Sequence, residues 1–393
     1  MTPPLHVITC EYPPVMGGVS EHSRVLAAAA RAAGYDVHVW TGSNAVTSNG
    51  VHVRADLGDF SHSALMQAGA ALDRWPAPRR MVVQWVPHGY GRKGLNVAFT
   101  RWIRQRAHAG DRIDLIVHEP FVDFFGSSWR QPAAALIQRY MTWSLVRAVD
   151  RVWLTIPGWE PRVRLARRRD QTAPRTLPVP GTIPPVRDRD AVAGLRGSLL
   201  NGRSRLVGYF GAGGRYPLEA IAATVGALAG AKADVAFVGI GRGSEASAAT
   251  VHAAVPGLDV SYVATGPLAL EQVSLHLQAC DALLQPYADG VSGRRTTTVS
   301  ALEHGTPVAT TIGALSEPFW SDTRAIECVP TAMPETLHTA LMRLLEPTRN
   351  LDAREAAIAL YRERFDPVRT FKVLFDADPV VGTHPRAAAG VRN

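Results

Sequence analysis

Lysine is almost missing from this sequence. Lys93, Lys232 and Lys372 are the only three in 393 residues, and every other basic residue is arginine. Together with the abundance of alanine, this is the residue choice of a GC-rich coding background. The formal net charge of +8 therefore does not by itself call for a nucleic-acid partner, and no aromatic-interleaved basic motif of that kind is present. Cysteine is as sparse. Cys10, Cys280 and Cys328 are odd in number and far apart, which excludes a disulfide framework or a metal knuckle. Charged residues make up only 19% against 46% hydrophobic, too few and too many respectively for a disordered chain. Long apolar runs are absent too. None approaches the roughly 18 residues that cross a bilayer, and the start has no basic patch leading into an apolar stretch. A cytoplasmic, reduced protein is the expectation. The 34 glycines and 28 prolines follow no period, which removes collagen-like and low-complexity readings.

What is present is an α/β rhythm. At about 150 residues per domain the length suggests two to three domains. Leu5 to Thr9 is a short apolar strand, Glu11 to Gly18 a Pro/Gly loop, Val19 to Ala33 a helix and Asp36 to Thr41 a strand. Further strands are expected at Met81–Val86, Ile113–Val117 and Arg151–Ile156, with helices at Val97–Ala107, Ala133–Val149 and Gly158–Arg169. Five prolines between Ala173 and Asp190 mark a linker. The rhythm then restarts, with strands at Leu206–Phe210, Asp234–Val238, Val260–Val263, Ala282–Pro286 and Val308–Thr311. Two Rossmann-like domains with parallel sheets facing across a central cleft follow: residues 1–180, then 181–376, with the final helices free to return to the first domain and 377–393 a loose tail. No repeat of 20 to 50 residues argues for a solenoid.

Three stretches carry chemistry. Glu11-Tyr-Pro-Pro-Val-Met-Gly17-Gly18-Val19-Ser-Glu-His22 joins strand to helix, where glycines and free amides admit an anion. In Asp114-Leu-Ile-Val-His118-Glu119 an apolar strand delivers two working side chains at its carboxyl end. In Asp289-Gly290-Val-Ser292-Gly293-Arg294-Arg295-Thr296 arginine forks and hydroxyls converge on a helix start, a pattern suited to a diphosphate. Asp188-Arg-Asp190 has the spacing of a metal-binding acidic pair but sits in the linker. Gly239-Ile-Gly241-Arg-Gly243 follows a strand without completing a dinucleotide fingerprint. His88 and Tyr90 stand in a polar, aromatic-bearing loop after a strand. Arg162, Arg164, Arg167, Arg168 and Arg169 form a basic run, read either as a solvated helix end or as a peripheral membrane contact.

With these motifs in order, and Gly305-Thr306-Pro307-Val308 closing the last of them, the chain resembles a family 4 glycosyltransferase of the GT-B fold over roughly residues 5 to 375. The resemblance implies a nucleoside-diphosphate sugar as donor substrate with no cofactor or metal. It also implies a small-molecule, lipid or saccharide acceptor on the N-terminal side, and transfer with retention. Carried across, Gly17 and Gly18 lie against the donor and His118 beside its sugar. Arg215, Ser292, Gly293, Arg294, Arg295, Thr296 and Ser300 belong to the donor and phosphate site, with His118 and Arg295 as the catalytic pair. His22, His88, Tyr90 and Glu119 belong to the acceptor side.

The chain departs from the family at the two glutamates that usually precede Gly-x-Pro, where Ser292 and Ser300 stand. It also lacks the lysine that follows the arginine on the first strand–loop of the second domain. Either Arg215, Arg294 and Arg295 take over the diphosphate in a more cationic pocket, or the site binds without turnover; Glu303, one turn beyond Ser300, is the remaining carboxylate candidate for a ribose. A sugar-nucleotide epimerase, a transferase of a non-sugar group and a non-catalytic nucleotide-sugar binder are the alternatives.

Overall fold

The computed structural model describes residues 3–42, 50–124, 130–255 and 261–376; the segment read as a tail lies outside them. Two wholly parallel sheets organise the chain. The first holds β1 (Pro4–Ile8), β2 (Asp36–Trp40), β3 (His52–Arg54), β4 (Arg80–Trp85), β5 (Arg112–Val117), β6 (Arg151–Leu154) and β7 (Arg175–Thr176), in the order β3-β2-β1-β4-β5-β6-β7. The second holds β8 (Arg205–Phe210), β9 (Val235–Ile240), β10 (Tyr262–Ala264), β11 (Ala282–Gln285), β12 (Val308–Ile312) and β13 (Ile326–Pro330), in the order β10-β9-β8-β11-β12-β13. Helices cover both faces of each sheet, so side chains alternate between two cores. Met81, Val83 and Trp85 point to one side of β4 and Val82 to the other. On β11, Leu283 and Leu284 divide in the same way. Burial on both faces is why these strands read as unbroken apolar runs.

In each sheet the strand order reverses once, between β1 and β4 and between β8 and β11. At such switch points two loops leave in opposite directions, and a crevice opens above the carboxyl ends of the strands. The chain crosses between domains twice. At the first crossing Val179 N–H donates to Gly293 O and Gly181 N–H to Phe365 O. After Phe365 the helix Pro367–Asp376 returns to the first domain. There Phe371 and Leu374 are fully buried with Leu5, Val7 and Leu26, and Arg80 caps Leu374 O.

One expectation is corrected here. The stretch Gly158–Arg169 is not one helix but three short turns, Pro157–Trp159, Glu160–Val163 and Arg164–Ala166; Pro161 has no N–H to continue the first turn into the second. Asp188, in the linker, has a capping role: its carboxylate accepts from Ala191 N–H at 2.9 Å at the start of the helix Arg189–Leu200.

Candidate functional site

The first half of the site stands over the β1/β4 switch point. After β1 the chain turns so that Glu11 reaches the start of the helix Gly18–Ala32, accepting from Ser20 N–H at 3.0 Å. Gly17 packs directly on that carboxylate: a Cβ there would lie 2.2 Å from Glu11 Oε1, whereas one on Gly18 would meet open space. The helix N-terminus expected to receive phosphate is therefore already capped by a carboxylate from its own loop. One turn on, His22 is fully buried, and neither ring nitrogen finds a hydrogen-bond partner among the described residues. Its ring meets His118 edge-on at 4.7 Å and Phe371, from the returning helix, at 5.4 Å.

His118 is held at the end of β5 by its backbone. Its carbonyl accepts from Trp159 Nε1–H at 2.9 Å, and its N–H donates to Trp85 O. Its Nε2 lies 2.6 Å from Gln84 Oε1 on β4. Burial pushes its pKa down to about 4 and that of His22 well below the ordinary value, with the proximity of His118 adding to the latter. Both imidazoles are neutral near pH 7. Tyr90 does not join this group. Its ring is wholly buried between Trp85 and Phe99, its hydroxyl donates to Gln84 O, and it is a core residue of the first domain. His88 stays largely exposed, 3.9 Å from Glu119.

The second half stands over the β8/β11 switch point. A cavity of about 620 Å³ opens there, lined by Phe210 to Gly213, by Gln285 to Asp289 and by Arg294 to Thr297. That is the size of a small-ligand pocket. Asp289 fixes its charge. Arg294 Nη2 donates to Asp289 Oδ2 at 2.6 Å and Arg295 Nη2 to Asp289 Oδ1. Arg294 also reaches across the cleft to Glu119 Oε1 at 2.9 Å, with its guanidinium over the Trp159 ring. Arg295 lies over Tyr287, whose hydroxyl is bonded to Thr297 and Thr298. The tight approach of the loop to β12 positions Asp289. Gly290 has φ +88, and a Cβ on it would sit 2.2 Å from Gly313 N, so only glycine fits. The helix Thr296–Glu303 begins at Arg295 with no side-chain cap, leaving its first turn open to the cavity.

Several expected members stand elsewhere. Arg215 is exposed and pairs with Glu219 at 2.9 Å, because Gly213 and Gly214, both at positive φ, turn it away from the pocket. Ser292 and Ser300 are buried beneath the loop with hydroxyls that find no partner among the described residues. Gly293 N–H donates to Glu317. Glu303 lies under the linker, accepting from Tyr361 O–H, where burial raises its pKa to about 7. The expected rise in local positive charge is likewise corrected. Asp289 and Glu119 bring two carboxylates to the two guanidinium groups.

Sequence reasoning passed over Asp289, Gln84, Tyr287 and Trp159. Two had visible signals: Gln84 is the lone polar residue in Met81-Val-Val-Gln-Trp-Val, and Asp289 shares a loop with both arginines. Among the described residues no group of three His, Cys, Asp or Glu side chains could hold a metal ion.

No family model matches this sequence, and no curated protein matches it. Solved structures do. The sucrose-phosphate synthase of Thermosynechococcus elongatus superposes with a TM-score of 0.69 at 17% identity, covering 96% of this chain and all of that one. HepE of Anabaena, in complex with UDP and glucose, gives 0.68 at 13% identity, with 95% and 98% covered. WaaG, a glycosyltransferase of lipopolysaccharide biosynthesis, gives 0.65 at 14%, with 94% and 99% covered. These likenesses, with the two facing parallel sheets, show that the chain has the GT-B fold.

Proposed function

We propose that this protein is a glycosyltransferase that moves a sugar from a nucleoside-diphosphate sugar to an acceptor, with retention and without a metal, as a divergent member of family 4. One observation carries the reading: an open cavity at the β8/β11 switch point has Arg294 and Arg295 at an uncapped helix start, and Arg294 bridges the cleft to Glu119, the residue next to a neutral His118. An incoming diphosphate competes with Asp289 for two guanidinium forks, which bind phosphate oxygens in pairs. As the glycosidic bond breaks, charge builds on the leaving phosphate, and the arginines with the amides of the helix Thr296–Glu303 stabilise it. His118, uncharged, offers a hydrogen bond to the sugar without repelling a developing positive charge at the anomeric carbon. A structure of the same fold holds UDP and glucose, which makes uridine donors the first to test.

A thermal-shift series with nucleoside diphosphates and their sugars is the direct test. A donor at a hundred times its Kd adds about 2.7 kcal/mol of stability and a clear rise in Tm. Addition of acceptor mixtures then releases nucleoside diphosphate. No Tm shift with any nucleotide overturns the reading. The serines at 292 and 300, where carboxylates are expected, favour a second reading, a nucleotide-sugar binder without turnover. Donor stabilisation with no nucleotide released from any acceptor would select it.

A further inference from the structure

The helix Gln131–Ala148 is apolar on the wrong side. From Pro132 to Trp143 every solvent-exposed position is Pro, Ala, Leu, Ile, Tyr or Trp. Leu136 is 60% exposed, Tyr140 45% and Trp143 44%. Beside them Leu165, in the turn Arg164–Ala166, is 85% exposed, and Val122 and Phe124 continue the patch. A hollow of about 590 Å³ lies between Tyr140, Trp143 and Leu165. Isolated exposed apolar residues need no explanation, but a contiguous patch marks an interaction surface.

Its border is basic. On the far side of Trp143 a groove of about 370 Å³ is lined by Arg104, His108, Arg147 and Arg168. Arg147 lies over the Trp143 ring at 5.0 Å and Arg139 over Phe124 at 3.8 Å, so the guanidinium groups rest on aromatic faces along the edge of the patch. Of the nearby acids, Asp123 and Asp170 are bound to Arg162 and Arg168, and Glu160 is exposed at the start of the turn Glu160–Val163. Arg104, Arg147 and Arg164 have no acidic partner among the described residues. The basic run read from the sequence is thus only part of the feature, and the exposed helix face is the larger part.

We propose that this surface docks on an anionic phospholipid bilayer, with Leu136, Trp143 and Leu165 entering the acyl boundary and the arginines meeting headgroup phosphates. Tyr and Trp beside arginine suit the boundary between headgroup and hydrocarbon. Arginines along the edge of an apolar patch, three of them in one shallow groove, complement an array of negative headgroups beside hydrocarbon. No described helix is long and apolar enough to cross a membrane, so the contact is peripheral. Trp159 links this surface to the cleft, with Arg162 over its ring at 5.1 Å and Arg294 at 5.3 Å. Docking therefore sets the mouth of the cleft beside the bilayer.

Vesicle flotation of the full chain tests this, using phosphatidylcholine vesicles with and without about 30 mol% phosphatidylglycerol. The expected result is recruitment to the anionic vesicles alone, weakened by salt. Leu165→Glu and Leu136→Glu abolish it, and Arg147→Glu lowers it by about tenfold. All three sites are exposed, and an unchanged melting curve verifies the fold of each variant. No recruitment to anionic vesicles, or recruitment undiminished in the glutamate variants, overturns the proposal. So does sedimentation showing concentration-dependent dimers that Leu136→Glu dissolves, since the patch would then be an interface between copies of this chain.

Discussion

The two halves of the cleft solve the same problem, polar groups held out of water, in opposite ways. On the N-terminal side burial removes the charge. His22 and His118 are desolvated to neutrality and surrounded by Phe371, Gln84 and Trp159 rather than by counter-ions. On the C-terminal side pairing preserves the charge, as Arg294 and Arg295 share Asp289 and Arg294 adds Glu119. A desolvated neutral group has little to offer an anion, whereas a paired guanidinium can exchange one anion for another. Under the proposed function, the difference places the diphosphate in the C-terminal half and the uncharged part of a donor in the N-terminal half. It also explains why the capped helix start beside Gly17 and Gly18 is the poorer phosphate site, since Glu11 already stands there.

The largest effect comes from breaking the charged half. Arg295→Ala lowers nucleotide affinity and turnover by about 10²- to 10³-fold, as losing a charged donor at the leaving group does. Asp289→Asn acts in the other direction on affinity, because it releases Arg295 from its ion pair and leaves Arg294 with Glu119 alone. Titration calorimetry with a nucleoside diphosphate reads both. Equal affinities in parent and Arg295→Ala would take the phosphate away from this half.

A smaller effect comes from the neutral half. His118→Ala reduces kcat by about 10- to 100-fold, the worth of one hydrogen bond to a group gaining charge, with the donor Kd nearly unchanged. A variant that loses affinity while keeping kcat would make the two halves alike, both binding and neither specific to the reaction.

How far each half was legible in the sequence follows the same division. The strands buried on both faces, such as β4 and β11, stand out as apolar runs. The edge strands β3 and β13 do not, because they carry exposed or polar residues such as His52 and Glu327. The helix Arg189–Leu200 fully buries only Leu199, with Val192, Leu195 and Leu200 half-buried beside it, and it starts at the edge of the proline-rich stretch that reads as a linker. The final helix has a strong apolar face, but Phe371 and Leu374 fit a domain far away in sequence. In the site, Arg294 and Arg295 were visible as a motif at a helix start. Asp289 shares their loop, but that it clamps both arginines depends on the turn that Gly290 permits. Tyr90 was misread as a pocket residue because nothing local says that its ring tucks under Trp85.

The smallest effect, and the finest test of the contrast, is the pH dependence of stability. His118 is held at about 4 against an ordinary 6.5, so between those values the unfolded chain binds more protons than the folded one. Its contribution is full above pH 6.5 and is lost as pH falls toward 4. Glu303, under the linker, is the reverse. It is raised to about 7 from an ordinary 4.5, chiefly by burial, so the folded chain binds more protons in that window. Its contribution is full below pH 4.5 and is lost as pH rises through 7. Glu303→Gln keeps an oxygen for Tyr361 O–H but cannot ionise. Its Tm relative to the parent should therefore rise by a few degrees between pH 5 and pH 8, while acid unfolding driven by the histidines continues as before. A difference in Tm that stays constant from pH 5 to 8 would mean that Glu303 is not charging in this range. The pH dependence would then rest with groups such as the buried histidines, His118 and His304, both held at about 4 by burial.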